Sequence, residues 1–271
     1  MFLMPISHDH FLKINWAAEK LTQLDQAVIA WFEGNQHFTH RIESDPENPA
    51  GTLLIVSADE IPVAPCSLII GDIVQNIRSS LDHIAYALAI NKINPLPQKF
   101  ERQSQFPIIG DENNMGIPGS GPEMFRNNAL PSMIKYIEEE AKAVIEGVQP
   151  YKLGVRFRDH PLWKLNNLAN TDKHRILHVS AAYAASYTVK NCKVSGNFTN
   201  EPGIVKNETV IARLGKLQPM DPENSLEMQV IPNMTIAFSD GLLANQLVIN
   251  TLDTITSYVD NKVLTPLQEF L

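Results

Sequence analysis

Apolar residues recur at three and four spacing from residue 9 to residue 33: Leu12, Trp16, Ala17, Leu21, Leu24, Val28 and Trp31. That spacing gathers them on one face of a helix, and Gly34 follows where a C-terminal cap is expected. Thr39 to Glu43 and Thr52 to Ala58 read as strands around a turn rich in Asp45, Pro46, Asn48, Pro49 and Gly51, the signature of a β-hairpin. A long amphipathic helix is predicted from Ser67 to Ile90. Residues 91 to 122, rich in Pro, Gly, Asn and Gln, read as a long loop. Pro131 to Gly147 predicts a third helix. Pro161 to Val179 predicts a fourth, with Asp159 or His160 as cap and Pro161 at the first helical position. Between residues 183 and 240 the period changes to two. Leu226, Met228 and Val230, then Met234, Ile236 and Phe238, alternate, and Val205 to Leu214 is rich in β-branched residues. Three to five strands are expected there. Leu242 to Phe270 closes the chain as a helix with Val248, Leu252, Ile255, Val259 and Val263 on one face, which Pro266 should kink or end.

The order of elements predicts an α+β fold in one domain, residues 1–271. A helical core would comprise residues 8–37, 65–90, 131–179 and 241–271. A β-hairpin would lie near residues 38–60, and a small antiparallel sheet in residues 183–240, inserted before the C-terminal helix. With 271 residues the chain buries about 70–75% of its unfolded surface and needs no metal or disulfide to hold a core. Its cysteines, Cys66 and Cys192, form no CxxC motif, which points to a reducing compartment. Met1 to Ser7 carries no basic region of a signal peptide. No run of about 20 apolar residues exists to span a membrane. A cytoplasmic location is therefore expected.

Charge sharpens the picture. The chain carries 22 Lys and Arg against 30 Asp and Glu, a net charge of −8, so it is no general polyanion binder. Yet residues 152 to 178 hold six Lys or Arg against two Asp. A local island of cations against the global sign suits a phosphate-binding face. Within it lie Asp172, Lys173, His174, Arg175 and His178. On a continuous helix Asp172 falls beside Leu165, Ala169 and Ile176, so it needs a partner, and Arg78 or His83 would serve. A helix break at Asn170 and Thr171, with Asp172 or Thr171 as N-cap, is the alternative.

The second cluster lies on the predicted helix 67–90. Cys66, Ile70, Ile73, Ile77, Leu81, Ile84 and Leu88 form an apolar stripe. Asp72, Asn76, Ser79 and His83 form a polar one beside it, with Arg78 and Asp82 on the other flank. Short polar residues of this kind usually make specific hydrogen bonds, either in a seam between helices or in a site. His174 and His178 are four apart, a spacing that lets two imidazoles bind one metal from one helix, with His83 or Asp72 as a third ligand. The Glu of a HExxH motif is absent. Gly116 to Gly121 lacks the Lys and the preceding strand of a phosphate loop and reads as a flexible loop.

Two resemblances attach to these strings. Gly71-Asp72, Asn76-x-Arg78-Ser79-x-Leu81-Asp82-His83 and Asp172-Lys173-His174-Arg175 resemble an uncharacterised family of bacterial and phage-borne proteins, in which a helical region carries both strings with a Pro-rich loop between. That resemblance implies no established activity. Arg78-Ser79-Ser80-Leu81-Asp82-His83 is also an Arg-x4-His string, similar to the motif of HEPN-domain ribonucleases. The resemblance implies a helical bundle, a homodimer, and metal-independent cleavage of single-stranded RNA without a cofactor. His83 would take a proton from a ribose 2′-OH, and Arg78 would hold the phosphate. Asp72 or Asp82 would orient the imidazole, Asn76 would complete the catalytic face, and Asp172, Lys173, His174 and Arg175 would hold substrate. Arg78 and His83 lie about 140° apart around one helix, so a shared phosphate would need a second helix or subunit. Two other readings stand beside this one. The chain is a non-enzymatic helical protein with a structural polar seam, or a metal-dependent hydrolase using His83, His174 and His178.

Overall fold

The computed structural model describes residues 9–34, 38–98, 105–110, 134–190, 192–194, 203–206, 208–215, 217–219 and 229–271. It is a mixed α+β fold that divides into two units. One comprises Met1–Thr22, Leu68–Ile176 and Leu252–Leu271, the other Gln23–Ser67 and Leu177–Thr251.

The first unit is helical. Helix α1 (Asp9–Gly34) begins in it and runs on into the second. Its buried stripe is His10, Ile14, Ala17, Leu21, Leu24, Val28 and Phe32, while Leu12 and Trp16 of the expected stripe are 68% and 45% exposed. The two candidate stripes share four residues, and Ile14 and Phe32 decide between them. Trp16 instead takes the Lys20 ammonium over its ring at 4.8 Å. Helix α2 (Val63–Lys92) supplies the centre of the core. Ile70, Ile73, Ile77, Leu81, Ile84 and Leu88 are buried as expected, and Val74, Ala85 and Ala89 widen the stripe beyond one face. A helix with so little polar surface packs against several neighbours.

Helix α3 (Glu139–Gly147) starts eight residues later than expected from Pro131. Residues 134–137 form an irregular turn that buries Ile134 and Ile137. Residues 131–133 and the Gly116–Gly121 string lie outside the described residues, as does most of the expected loop. Of that loop, residues 105–110 form a strap without regular secondary structure that buries Phe106 and Ile109. Fully buried Gln149 holds the strap, accepting from Ile109 N at 2.9 Å and donating to Pro107 O at 3.0 Å. Helix α4 (Pro161–Asp172) has His160 as its cap and Pro161 at its first position, as expected. It ends seven residues before Val179. Backbone N–H groups of His174 and Arg175 both turn back onto Thr171 O, and the chain enters a strand at Val179. The C-terminal helix is also shorter and less regular than expected. It runs as α5 (Val248–Tyr258), a π-helical stretch (Val259–Leu264) and α6 (Thr265–Gln268). Pro266 lacks an N–H and its ring crowds the carbonyl four residues back, and a widened preceding turn relieves this.

The second unit holds the strands β1 (Phe38–Ser44), β2 (Thr52–Ala58), β3 (Val179–Lys190), β4 (Cys192–Val194), β5 (Gly203–Ile204), β6 (Thr209–Leu214), β7 (Leu217–Pro219) and β8 (Gln229–Phe238). The hairpin is present, but it is no separate element. β6 adds to β2, giving the order β1-β2-β6, so β2 is central and buries Leu53, Leu54, Ile55 and Val56 in succession. Edge strand β1 is exposed and polar. The turn after β1 is pinned by buried Asp45, whose carboxylate accepts from Arg213 on β6 at 2.8 and 2.9 Å. Residues 183–240 thus divide among three sheets rather than forming one: β6 joins the hairpin, β5-β3-β8 is a second, and β4-β7 a third. Among the described residues no helix is long and apolar enough to cross a membrane.

Candidate functional site

The sequence motifs meet on α2, where two polar stripes run side by side. Gly71, Gln75, Arg78 and Asp82 follow the spacing four, three, four and so share one face. Asp72, Asn76, Ser79 and His83 form the next stripe, one residue on.

Each residue of the first stripe has a partner. A Cβ on Gly71 would overlap Oδ1 of Asp172, so any larger residue here would have to displace that carboxylate. Gln75 Nε2 donates to Asp172 Oδ2 at 2.9 Å. Asp172 was expected to meet Arg78 or His83, or to act as an N-cap. It is instead the last residue of α4, with Gln75 as its partner. Further along, Arg78 Nη2 pairs with Asp82 Oδ1 at 3.0 Å and donates to Phe106 O at 2.8 Å. Asp82 Oδ1 accepts from Phe106 N at 2.8 Å. The pair therefore grips both polar groups of one backbone residue of the strap. Arg78 is 13% exposed and Asp82 30%. Burial lowers the Arg78 pKa, opposed by Asp82, and raises that of Asp82, opposed by Arg78, by the Phe106 N–H, and by the charges of Lys173 and His83. The expected phosphate ligand is thus committed inside the fold, although its buried Nη1 has no partner.

The second stripe is more open. Asp72 is exposed. Asn76 donates to Asp72 O at 2.8 Å and accepts from Lys13 Nζ at 3.2 Å, which makes it a helix-to-helix tie. His83 is half-buried, and its ring Nδ1 is buried without a hydrogen-bond partner. Neither Asp72 nor Asp82 hydrogen-bonds the ring, contrary to expectation. Consecutive side chains diverge by about 100° on a helix, and Asp82 Oδ1 already serves Phe106 and Arg78.

The Lys173-His174-Arg175 string sits just past α4, and all three side chains are exposed. His174 and His178 lie beyond the helix end, so the single-helix spacing behind the metal reading fails. Among the described residues no group of three or more His, Cys, Asp or Glu side chains is placed to hold a metal ion. The sequence reading missed Gly71 as a packing position, and Gln75 and the Phe106 backbone altogether. The signal for the first two was there: Gly71 and Gln75 are four apart, on the face that Arg78 and Asp82 continue. Phe106 carries no such mark, because only its main chain is used. Comparisons of the chain with protein families, with curated proteins and with solved structures return no match.

Proposed function

We propose that the chain is a HEPN-like RNA-binding protein with metal-independent endoribonuclease chemistry, in which His83 moves the proton and the turn after α4 holds the backbone of single-stranded RNA. The observation that carries this reading is His83 itself. Its ring is half-buried with a buried, unpartnered Nδ1, and it shares the field of Asp82 with the exposed cation Lys173. An unpaired buried imidazole nitrogen is costly unless used, and an imidazole suits proton transfer near neutral pH. The 2′-oxygen, giving its proton to His83, attacks the adjacent phosphorus. The bond to the 5′-oxygen breaks, and that oxygen takes a proton from solvent. A 2′,3′-cyclic phosphate and a 5′-hydroxyl result. Arg78 belongs to this reading as a positioning residue, acting through Asp82 and the strap. The homodimer belongs to it too, as the arrangement that would bring a second copy's groups to the same phosphate.

The test is cleavage of single-stranded RNA in EDTA. His83→Ala should lower the rate by about 10²–10⁴-fold with a melting temperature near that of the parent, while the matching DNA, lacking the 2′-OH, stays intact in both. Equal trace cleavage by parent and variant would mark a contaminant and end the enzyme reading. The grip of Arg78 and Asp82 on Phe106 favours the second reading, a non-enzymatic protein with a structural seam. That reading predicts no RNA cleavage by any variant.

A further inference from the structure

We infer that Gly71 and Gln75 are positioning residues that act through Asp172 to hold the Lys173-His174-Arg175 turn against α2. This deepens the reading above, because it names what fixes the proposed RNA-holding turn. Three observations carry it. The carboxylate of Asp172 lies where a Gly71 side chain would be, and the three atoms nearest that Cβ position all belong to Asp172. The same carboxylate accepts from Gln75 Nε2 at 2.9 Å, and Gln75 reaches Ala169 O at 3.4 Å. Asp172 is the last residue of α4, and the next three residues are exposed.

The mechanism is mechanical. α4 lacks a glycine stop, and its last turn meets α2 through Ala169 O and through the Asp172 carboxylate, which lies in a slot with a glycine floor. Asp has only two side-chain torsions. A methyl group on Gly71 would drive the carboxylate off Gln75, and the turn that follows would lose its anchor. Lys173 now adds its charge to the surroundings of Asp82, so Asp82 reports where the turn is.

The experiment titrates the Asp82 carboxyl carbon by NMR in the full chain. Lys173→Ala should raise the Asp82 pKa, because it removes a nearby cation that favours the carboxylate. Gly71→Ala should reproduce that rise, and the double variant should rise no further. Gln75→Leu, which adds no clash, should act in the same direction and keeps the test available if Gly71→Ala does not fold. Asp172→Asn, which retains an acceptor for Gln75, should behave like the parent. A Gly71→Ala or Gln75→Leu protein with the parent Asp82 titration, or shifts that add to that of Lys173→Ala, would overturn the inference. A fold-wide disturbance would move Asp82 whether or not Lys173 is present, so non-additivity separates positioning from general damage. None of these readouts involves RNA. If they hold while RNA neither binds nor is cleaved, the positioning stands and the ribonuclease reading falls.

Discussion

His160 shows how one side chain can set the acid limit of the fold. Its Nδ1 accepts from Leu162 N at 3.2 Å as the cap of α4, which leaves the ring proton on Nε2, 3.1 Å from the Tyr258 hydroxyl on α5. Protonation must add a hydrogen to Nδ1 and break the cap. The residue is 6% exposed, and burial lowers its pKa to about 4. The free imidazole titrates near 6.5, so between these values the unfolded chain binds a proton that the native state does not. Stability from this group is complete above the unfolded value and falls as pH drops towards 4. The expected loss between pH 7 and pH 4 is about 1–2 kcal/mol, below the full linkage value because a ring at a helix terminus retains some access to water. Urea unfolding at both pH values measures it. His160→Asn, which keeps a capping oxygen but cannot titrate, should lose that part of the pH dependence. An unchanged slope in the variant would assign the acid sensitivity to other groups.

At the scale of elements, the Arg78–Asp82 pair ties α2 to the strap through both polar groups of Phe106. Replacing Arg78 by Met leaves Asp82 buried with an N–H but no counter-charge. Replacing Asp82 by Ala leaves Arg78 charged and Phe106 N unpaired. Each should lower stability by about 2–3 kcal/mol, the range for breaking a partly buried, hydrogen-bonded pair. The Arg78→Met, Asp82→Ala double variant should lose clearly less than the sum, because the second change removes a group the first has already stranded. Strict additivity in thermal or urea melts would mean that the pair does not work as a unit. The sequence made α2 readable because its apolar period is unbroken for five turns and both its flanks carry recognisable polar residues. The end of α4 was legible only as an alternative, a break at Asn170 and Thr171, against a helix continuing to Val179. Leu165, Ala169 and Ile176 keep a helical period across the boundary, and no glycine or proline interrupts it. Seven residues on, Val179 pairs with Phe238 on β8, a long-range partner that the local pattern does not show. The pairing of β6 with β2 was hidden for the same reason, since about 150 residues separate the two strands and periodicity carries no register. Of the residues in the candidate site, Arg78, Asp82, His83 and Asp172 stood out in the sequence, but not the partners they take, and Gln75 and Phe106 did not stand out. Arg78 and Asp82 stand out by spacing, yet their common partner is a backbone that leaves no trace in side-chain chemistry.

For the whole molecule, net charge and local charge pull in opposite directions, and Lys152, Arg156 and Arg158 of the cation island already have partners in the structure. Lys152 pairs with Glu146 at 3.3 Å and Arg156 with Asp159 at 3.0 Å. The Arg158 guanidinium lies 5.5 Å from the centre of the Phe157 ring. A polyanion must compete with the two carboxylates before it gains these charges, and it meets a chain of net charge −8 on approach. Lys173 differs. It is exposed, and its influence on Asp82 is that of a neighbouring charge. Of these cations it is the one whose loss should register in RNA binding. Each neutralised phosphate of a single strand adds about 0.7 to the slope of log affinity against log salt. Lys173→Ala should therefore flatten that slope by about 0.7 and weaken binding to all sequences alike, leaving the cleavage rate at saturating RNA unchanged. Arg156→Ala should change the slope by much less, since Asp159 already neutralises that charge. Fluorescence anisotropy of a labelled single strand across a salt series reads both variants against the parent. Equal slopes in the parent and Lys173→Ala would remove the turn after α4 from the RNA interface, and a larger effect at Arg156 would move that interface to the other end of the island.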